Sequence, residues 1–173
     1  VSFYARGVYY YDENGKKLGS YTTDNSPLTN NYVMDLMEYK GKVWLATDGG
    51  GINLVDLESG EFSFLSHTTG DPASLPGNSI IRLYKDYNGH LWIGSVREGA
   101  IHVKESYIRT YQDVILNQSM GLTEKSVTGL YEEEDGRLWV GTDGGGINLY
   151  HPETDQFIHY PMTYGDKVIS MTN

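Results

Sequence analysis

Arg97 and Glu98 draw attention first, because they interrupt a pattern. The segment Asp48-Gly49-Gly50-Gly51 recurs almost unchanged as Asp143-Gly144-Gly145-Gly146, and between the two, at the corresponding place, stands Val96-Arg97-Glu98-Gly99. A repeat that breaks its own consensus in a loop is a place where function can enter. The planar guanidinium of Arg97 suits the carboxylate or sulfate of an acidic sugar, although a surface arginine without a role is the commoner case. The glycine-rich segments could cradle an anion with their amides. No helix start follows them, as a phosphate loop requires, so a tight corner between strands is the preferred reading.

Trp44, Trp92 and Trp139 could each stack on a sugar face. All three occupy one strand position between apolar neighbours, so burial between packed sheets is expected. The histidines His67, His90, His102, His151 and His159 are scattered and show no metal-ligand spacing; no metal and no cofactor are expected. Asp12-Glu13-Asn14-Gly15 and Asp86-Tyr87-Asn88-Gly89 look calcium-like but lack the remaining ligands of such a loop and read as hairpin turns. The acidic run 132–135 leads into a turn and reads as a solvated end. Tyr9, Tyr10 and Tyr11 are consecutive, so they alternate sides and are not expected to form one stacking platform; they are expected to pack between blades and fringe the edge. No nucleophile elbow occurs and no catalytic residue is assigned, while acid–base carboxylate pairs remain open because repeats bring distant residues together.

The elements that must position these residues come from one unit stated three times. Residues 122–160 read LTEKSVTGLYEEEDGRLWVGTDGGGINLYHPETDQFIHY, with a close copy at 28–65 and a looser one at 75–111. The opening leucines Leu28, Leu75 and Leu122 are 47 residues apart, and the tryptophans follow at intervals of 48 and 47. A fixed period of this size marks a repeat architecture. Each copy resolves into four short strands, A to D, with a hairpin signal such as Asn88-Gly89 between A and B. Strand A (79–85 in the second copy) is a mostly apolar run expected to be buried on both faces. Apolarity falls towards D, which is expected to be a polar edge guarded by Glu61, Gln156 and 104–106.

The fold class expected is therefore all-β: a β-propeller fragment of four-stranded antiparallel blades, about four blade equivalents. Residues 1–27 read as strands B, C and D of an incomplete blade, with B at 1–5. Full blades are expected at 28–74, 75–121 and 122–163, and 164–173 reads as the lone inner strand of the next. The turns from D to A and from B to C share one rim of a propeller. This gathers Asn30, Asn31, Asp48, Asn78, Arg97, Glu98, Lys125 and Asp143 as the candidate ligand-binding or docking face.

The net charge of −10 and pI near 4.8 argue against nucleic acid or an anionic membrane as partner. No cysteine is present, so disulfides and thiolate metal sites are excluded. No apolar run approaches the ~20 residues of a membrane helix, and no secretory signal is seen. The sequence begins at Val1 within a repeat and reads as a piece of something longer.

The string L-[TP]-x-[NE]-x-[IV]-…-D-x-x-G-x-L-W-[IV]-G-[TS]-x-x-G-G-[IL], best matched over 75–99 and 122–146, resembles the two-component regulator propeller repeat. The first copy departs modestly, with a hairpin one residue shorter and Ala46 in place of glycine. The resemblance implies the periplasmic sensor region of a bacterial hybrid two-component system, of the kind common in Bacteroides-like gut bacteria. There, two propellers of about seven blades precede an immunoglobulin-like connector, one membrane helix and a histidine kinase. It further implies recognition of glycan-derived oligosaccharides, with the kinase activity outside these residues. A dimerisation scaffold without a small ligand is the alternative, and a propeller lyase or hydrolase a more distant one. Self-association is expected in addition: the strand beginning at Lys167 could complete the blade of residues 1–24, within one chain or between chains.

Overall fold

The computed structural model describes residues 1–71, 73–104, 107–112, 120–160, 163–164 and 167–168. It is all-β, a β-propeller fragment with no α-helix among the described residues. The chain divides into two compact units, Val1–Ile80 and Ile81–Asn173.

The first unit opens with a two-stranded antiparallel sheet of β1 (Val8–Tyr11) and β2 (Lys17–Tyr21). A four-stranded blade follows, in the order β3 (Val33–Tyr39), β4 (Lys42–Thr47), β5 (Gly51–Val55) and β6 (Phe62–Leu65). Neither sheet can bury a face alone, so they close on each other over Val8, Leu28, Val33, Leu45 and Val55. Tyr21 meets Phe62 edge-on at 5.2 Å. The strand expected over residues 1–5 is reduced to one isolated bridge, Ser2 to Val8. A turn takes its place, with the Arg6 N–H donating to Phe3 O and Ala5 at φ 57°, a conformation incompatible with continuing a ladder.

After β7 (Ile80–Lys85), the second unit continues the blade through β8 (Leu91–Ser95), β9 (Ala100–Lys104) and β10 (Tyr107–Tyr111). A further blade comprises β11 (Val127–Glu132), β12 (Leu138–Thr142), β13 (Gly146–His151) and β14 (Gln156–Tyr160). Trp92, Tyr111, Val127, Val140, Tyr150 and Phe157 fill the space between them. Two residues each of β15 (Thr163–Tyr164) and β16 (Lys167–Val168) pair with one another. The strand expected to stand alone from Lys167 thus has a local partner, and 169–173 lie outside the described residues.

Burial does not fall steadily from A outward. Strands B and C are the most deeply buried: β5 and β8 are buried throughout. Strand A of the first blade alternates instead, with Met34 and Leu36 exposed. In β7, the strand A of the second copy, only Ile80 and Leu83 are buried, so its apolar run does not mean burial on both faces. The expected polar guard on D is incomplete too, since Phe64 and Leu65 are exposed; residues 105–106 lie outside the described set.

The turns obey their aspartates. Asp12 Oδ1 accepts the N–H of Asn14 and of Lys16, and Asp86 Oδ1 that of His90. Asp56 Oδ1 accepts from Ser59 and Glu58, and these two amides hold its carboxyl below the usual carboxylate range.

Candidate functional site

The proposed rim is built around one interaction that recurs at three strand-C glycines. The glycine that opens strand C donates its N–H to the residue three positions after the opening leucine of the next repeat. Gly7 N–H reaches Asn31 O at 3.0 Å, Gly51 N–H reaches Asn78 O at 2.8 Å and Gly99 N–H reaches Lys125 O at 2.8 Å. Each glycine sits at φ between 71° and 78°. A Cβ at Gly51 would lie 2.4 Å from Leu65 O, and one at Gly99 1.9 Å from Tyr111 O. Only glycine fits here, both for conformation and for space.

This geometry assigns structural duties to much of the rim. The Asn31 amide accepts from Thr23 N at 2.9 Å and donates to Thr23 Oγ1 at 2.8 Å. Asn78 Oδ1 accepts from His67 N at 2.7 Å. Asn30 Nδ2 donates to Asp48 O at 2.7 Å, and the Asp48 carboxylate accepts the Ser79 hydroxyl. Glu98 accepts from Gln112 Nε2 at 3.0 Å. Arg97, Lys125 and Asp143 keep exposed side chains. Asn30, Asp48 and Asn78 come together in the first unit, and Arg97, Glu98 and Lys125 in the second. The corner reading of the Asp-Gly-Gly-Gly segments agrees with Thr47 and Thr142, whose hydroxyls donate to Gly51 O and Gly146 O across each turn.

Two groupings escaped the sequence. In the first unit, Tyr9, Tyr10, Tyr11 and Tyr21 line a groove of ≈ 560 Å³ floored by Val43 and Leu45. Tyr10 stacks on Tyr21 at 5.2 Å with planes 29° apart. A register shift between Tyr10 and Tyr11 breaks the simple alternation of sides, a bulge effect that the tyrosine triplet alone does not announce. Burial, then Tyr10, raises the Tyr21 pKa.

In the second unit, Asp86, His90 and His102 converge, one ligand atom from each lying within 4.8 Å of the others. Asp86 Oδ2 is 3.4 Å from His90 Nδ1 and 4.0 Å from His102 Nε2. The same oxygen accepts the Trp92 indole N–H at 3.2 Å. His102 is buried and lies flat on Trp92, with centroids 4.0 Å apart and planes at 8°. Asp86 and His90 are four residues apart in a hairpin, and His102 joins them across the ladder. Pairwise spacing in the sequence therefore could not show the set.

The other expectations divide. Trp92 is 2% exposed within the core, whereas Trp44 and Trp139 are only half-buried. Glu132, expected in solvent, is buried and accepts from Tyr87 N at 2.9 Å and Tyr84 Oη at 3.3 Å. Desolvation raises its pKa, against the pull of the Tyr87 amide. Tyr111 and Tyr150 share Asp155, and burial first, then that carboxylate among other neighbours, pushes Tyr111 far up. Tyr150 is raised to about 12, chiefly by burial.

Among solved structures, the extracellular domain of the hybrid two-component system BT3049 from B. thetaiotaomicron matches 91% of this chain at TM-score 0.76 and 18% identity. The extracellular domain of BT4673 from the same organism matches 98% at TM-score 0.65 and 22% identity. These likenesses concern the fold, and the chain spans only 22% and 23% of those two proteins. No curated protein matches it. The family model described as two component regulator propeller matches residues 74–97 and 121–144. On a β-propeller framework, then, two segments of this chain match the two-component regulator propeller repeat.

Proposed function

We propose that this chain is part of the periplasmic sensor propeller of a hybrid two-component system, recognising glycan-derived oligosaccharides and signalling to a histidine kinase outside these residues. The observation that carries the reading is the pair of regulator-propeller repeats on a fold like that of two extracellular domains of such systems. Within the molecule, the tyrosine groove supplies what a sugar needs. Its ≈ 560 Å³ falls in the range of small-molecule sites, and the exposed faces of Tyr10 and Tyr11 can stack on pyranose C–H bonds while their hydroxyls accept and donate. In the second unit, the exposed Arg97 is a separate candidate contact for an acidic sugar.

Calorimetry of the whole sensor region against neutral and acidic oligosaccharides tests this reading. A binding partner is expected, with affinity reduced at least about fivefold by Tyr10→Ala, taking the ~1–3 kcal/mol that a nucleobase gains by stacking on an aromatic side chain as the guide. Absence of binding across a broad glycan panel sinks it.

A second reading, self-association, is favoured by the two-stranded β1–β2 sheet, a partial blade that offers pairing groups a four-stranded blade would satisfy. Here residues from Lys167 onward of one chain add to the β1–β2 sheet of another. Light scattering of the chain and of a truncation after Asp166 decides: a monomer indifferent to the truncation removes it.

A further inference from the structure

We propose that Asp86, His90 and His102 form a binding site for a divalent transition-metal ion of the zinc class. The ligands are Asp86 Oδ2, His90 Nδ1 and His102 Nε2. The fourth position falls to water, because the His90 side chain is 40% exposed and opens the cluster to solvent.

The donor set fits the ion. Zinc takes imidazole nitrogen and carboxylate oxygen in tetrahedral sites with bonds of ~2.0–2.1 Å, which places ligand atoms roughly 3.3 Å apart. The Asp86–His90 pair already stands at 3.4 Å. The Asp86–His102 pair, at 4.0 Å, closes by a small tilt of either side chain. Imidazole-rich sites favour zinc, copper, nickel and iron over magnesium or calcium.

The ligands are also held from behind, as metal ligands characteristically are. Asp86 Oδ1 accepts the His90 backbone N–H at 2.8 Å, and Oδ2 accepts the Trp92 indole N–H at 3.2 Å. These two donors fix the carboxylate plane and leave Oδ2 directed between the two rings. The stack on Trp92 fixes the His102 ring.

The sister repeat shows that packing does not require the histidines. Six residues before its tryptophan stands Glu133, which accepts the Trp139 indole N–H at 2.8 Å. The place of His90 is taken by Arg137, which closes an ion pair with Glu133. Opposite Trp139 in the ladder is Leu149, as Leu54 is opposite Trp44, whereas His102 is opposite Trp92. The framework of acid and indole is thus the same, but the middle repeat exchanges arginine and leucine for two imidazoles around one carboxylate. An ion bound there would tie the β7–β8 hairpin to β9.

The test uses the tag-free chain, stripped with a chelator and titrated with zinc chloride by calorimetry and with cobalt(II) by visible absorption. One ion per chain is expected, with the intense visible bands of tetrahedral cobalt and a melting temperature that rises with zinc concentration. His90→Gln, a change at a partly exposed position, should lower affinity at least about tenfold. His102→Leu restores the residue type of the sister repeats, so it should preserve folding while abolishing the cobalt bands. Failure to take up either ion stoichiometrically overturns the proposal. So does uptake unchanged in both variants, which would place the ion on His67, His151 or His159.

Discussion

The Tyr111 hydroxyl donates to Asp155 Oδ1 at 2.6 Å, joining the outer strand of one blade to the turn between β13 and β14 of the other. Tyr150 donates to the same oxygen at 2.9 Å, and Arg109 Nη1 stands 2.5 Å from Oδ2. Asp155 itself is at φ 57°. One carboxylate therefore accepts two largely buried hydroxyls and pairs with one guanidinium, from a backbone conformation that aspartate and asparagine tolerate better than most residues.

Asp155→Ala should cost about 2–4 kcal/mol, because two hydroxyls lose their acceptor and alanine resists the left-handed backbone. Asp155→Asn keeps an acceptor and the backbone preference, and should cost about half as much. Urea denaturation of the two variants gives the comparison. Equal costs would show that only the charge matters.

The same cluster governs behaviour in alkali. A tyrosine whose folded pKa exceeds its unfolded value contributes stability that is complete below the unfolded pKa, near 10, and is lost as pH rises through the folded one. With Tyr150 raised to about 12 and Tyr111 raised further by burial, stability should fall between pH 10 and 12. The share of the phenolate absorbance that belongs to Tyr111 and Tyr150 should rise with unfolding instead of before it. In Tyr150→Phe the slope of stability against pH in that window should be smaller; an unchanged slope would contradict the assignment.

Two glycines with similar φ should respond very differently to alanine. At Gly99 the added Cβ would lie 1.9 Å from Tyr111 O, while at Gly89 nothing lies within 4 Å. Gly89→Ala should cost only the conformational penalty of about 1–2 kcal/mol. Gly99→Ala should exceed about 3 kcal/mol, as the backbone must shift and the bond to Lys125 O must stretch. Thermal melts of both suffice, and similar values would argue that the outer strand yields without cost.

The tryptophans, alike in sequence, should separate by site. Trp92→Ala removes a ring buried among Tyr111, Tyr150 and His102 and should cost about 3–5 kcal/mol. Trp44 is half-buried, with its indole N–H on Tyr39 O at 3.0 Å; its loss should cost less than half as much. Matching losses would mean that the middle repeat is no better packed than the first.

The strand plan was readable from the 47-residue interval, because the interval sets where each hairpin begins and each hairpin is a local event. The Asp-x-x-Gly turns and the glycine corners followed for the same reason. Of the rim residues, Asn30, Asp48 and Asn78 meet in the first unit and Arg97, Glu98 and Lys125 in the second. What the sequence could not reveal is that Asn31 and Asn78 already hold loop amides. The depth of Glu132 was misjudged because charge runs at strand ends are commonly solvated; here Tyr84 and Tyr87 bring donors across from the neighbouring blade. His102 looked solitary because its partner Asp86 lies sixteen residues away along the chain, yet a ladder apart in space.

The sequence alone determined the repeat, the order of strands and the corners where glycine is obligatory, since all of these rest on period and local backbone sterics. The tertiary structure decided which equivalent side chains differ in fate: Trp92 in the core and Trp44 at its margin, Asp86 facing imidazoles and Glu133 facing arginine. Those fates depend on what each sheet packs against, a relation between strands that spacing along one chain does not encode.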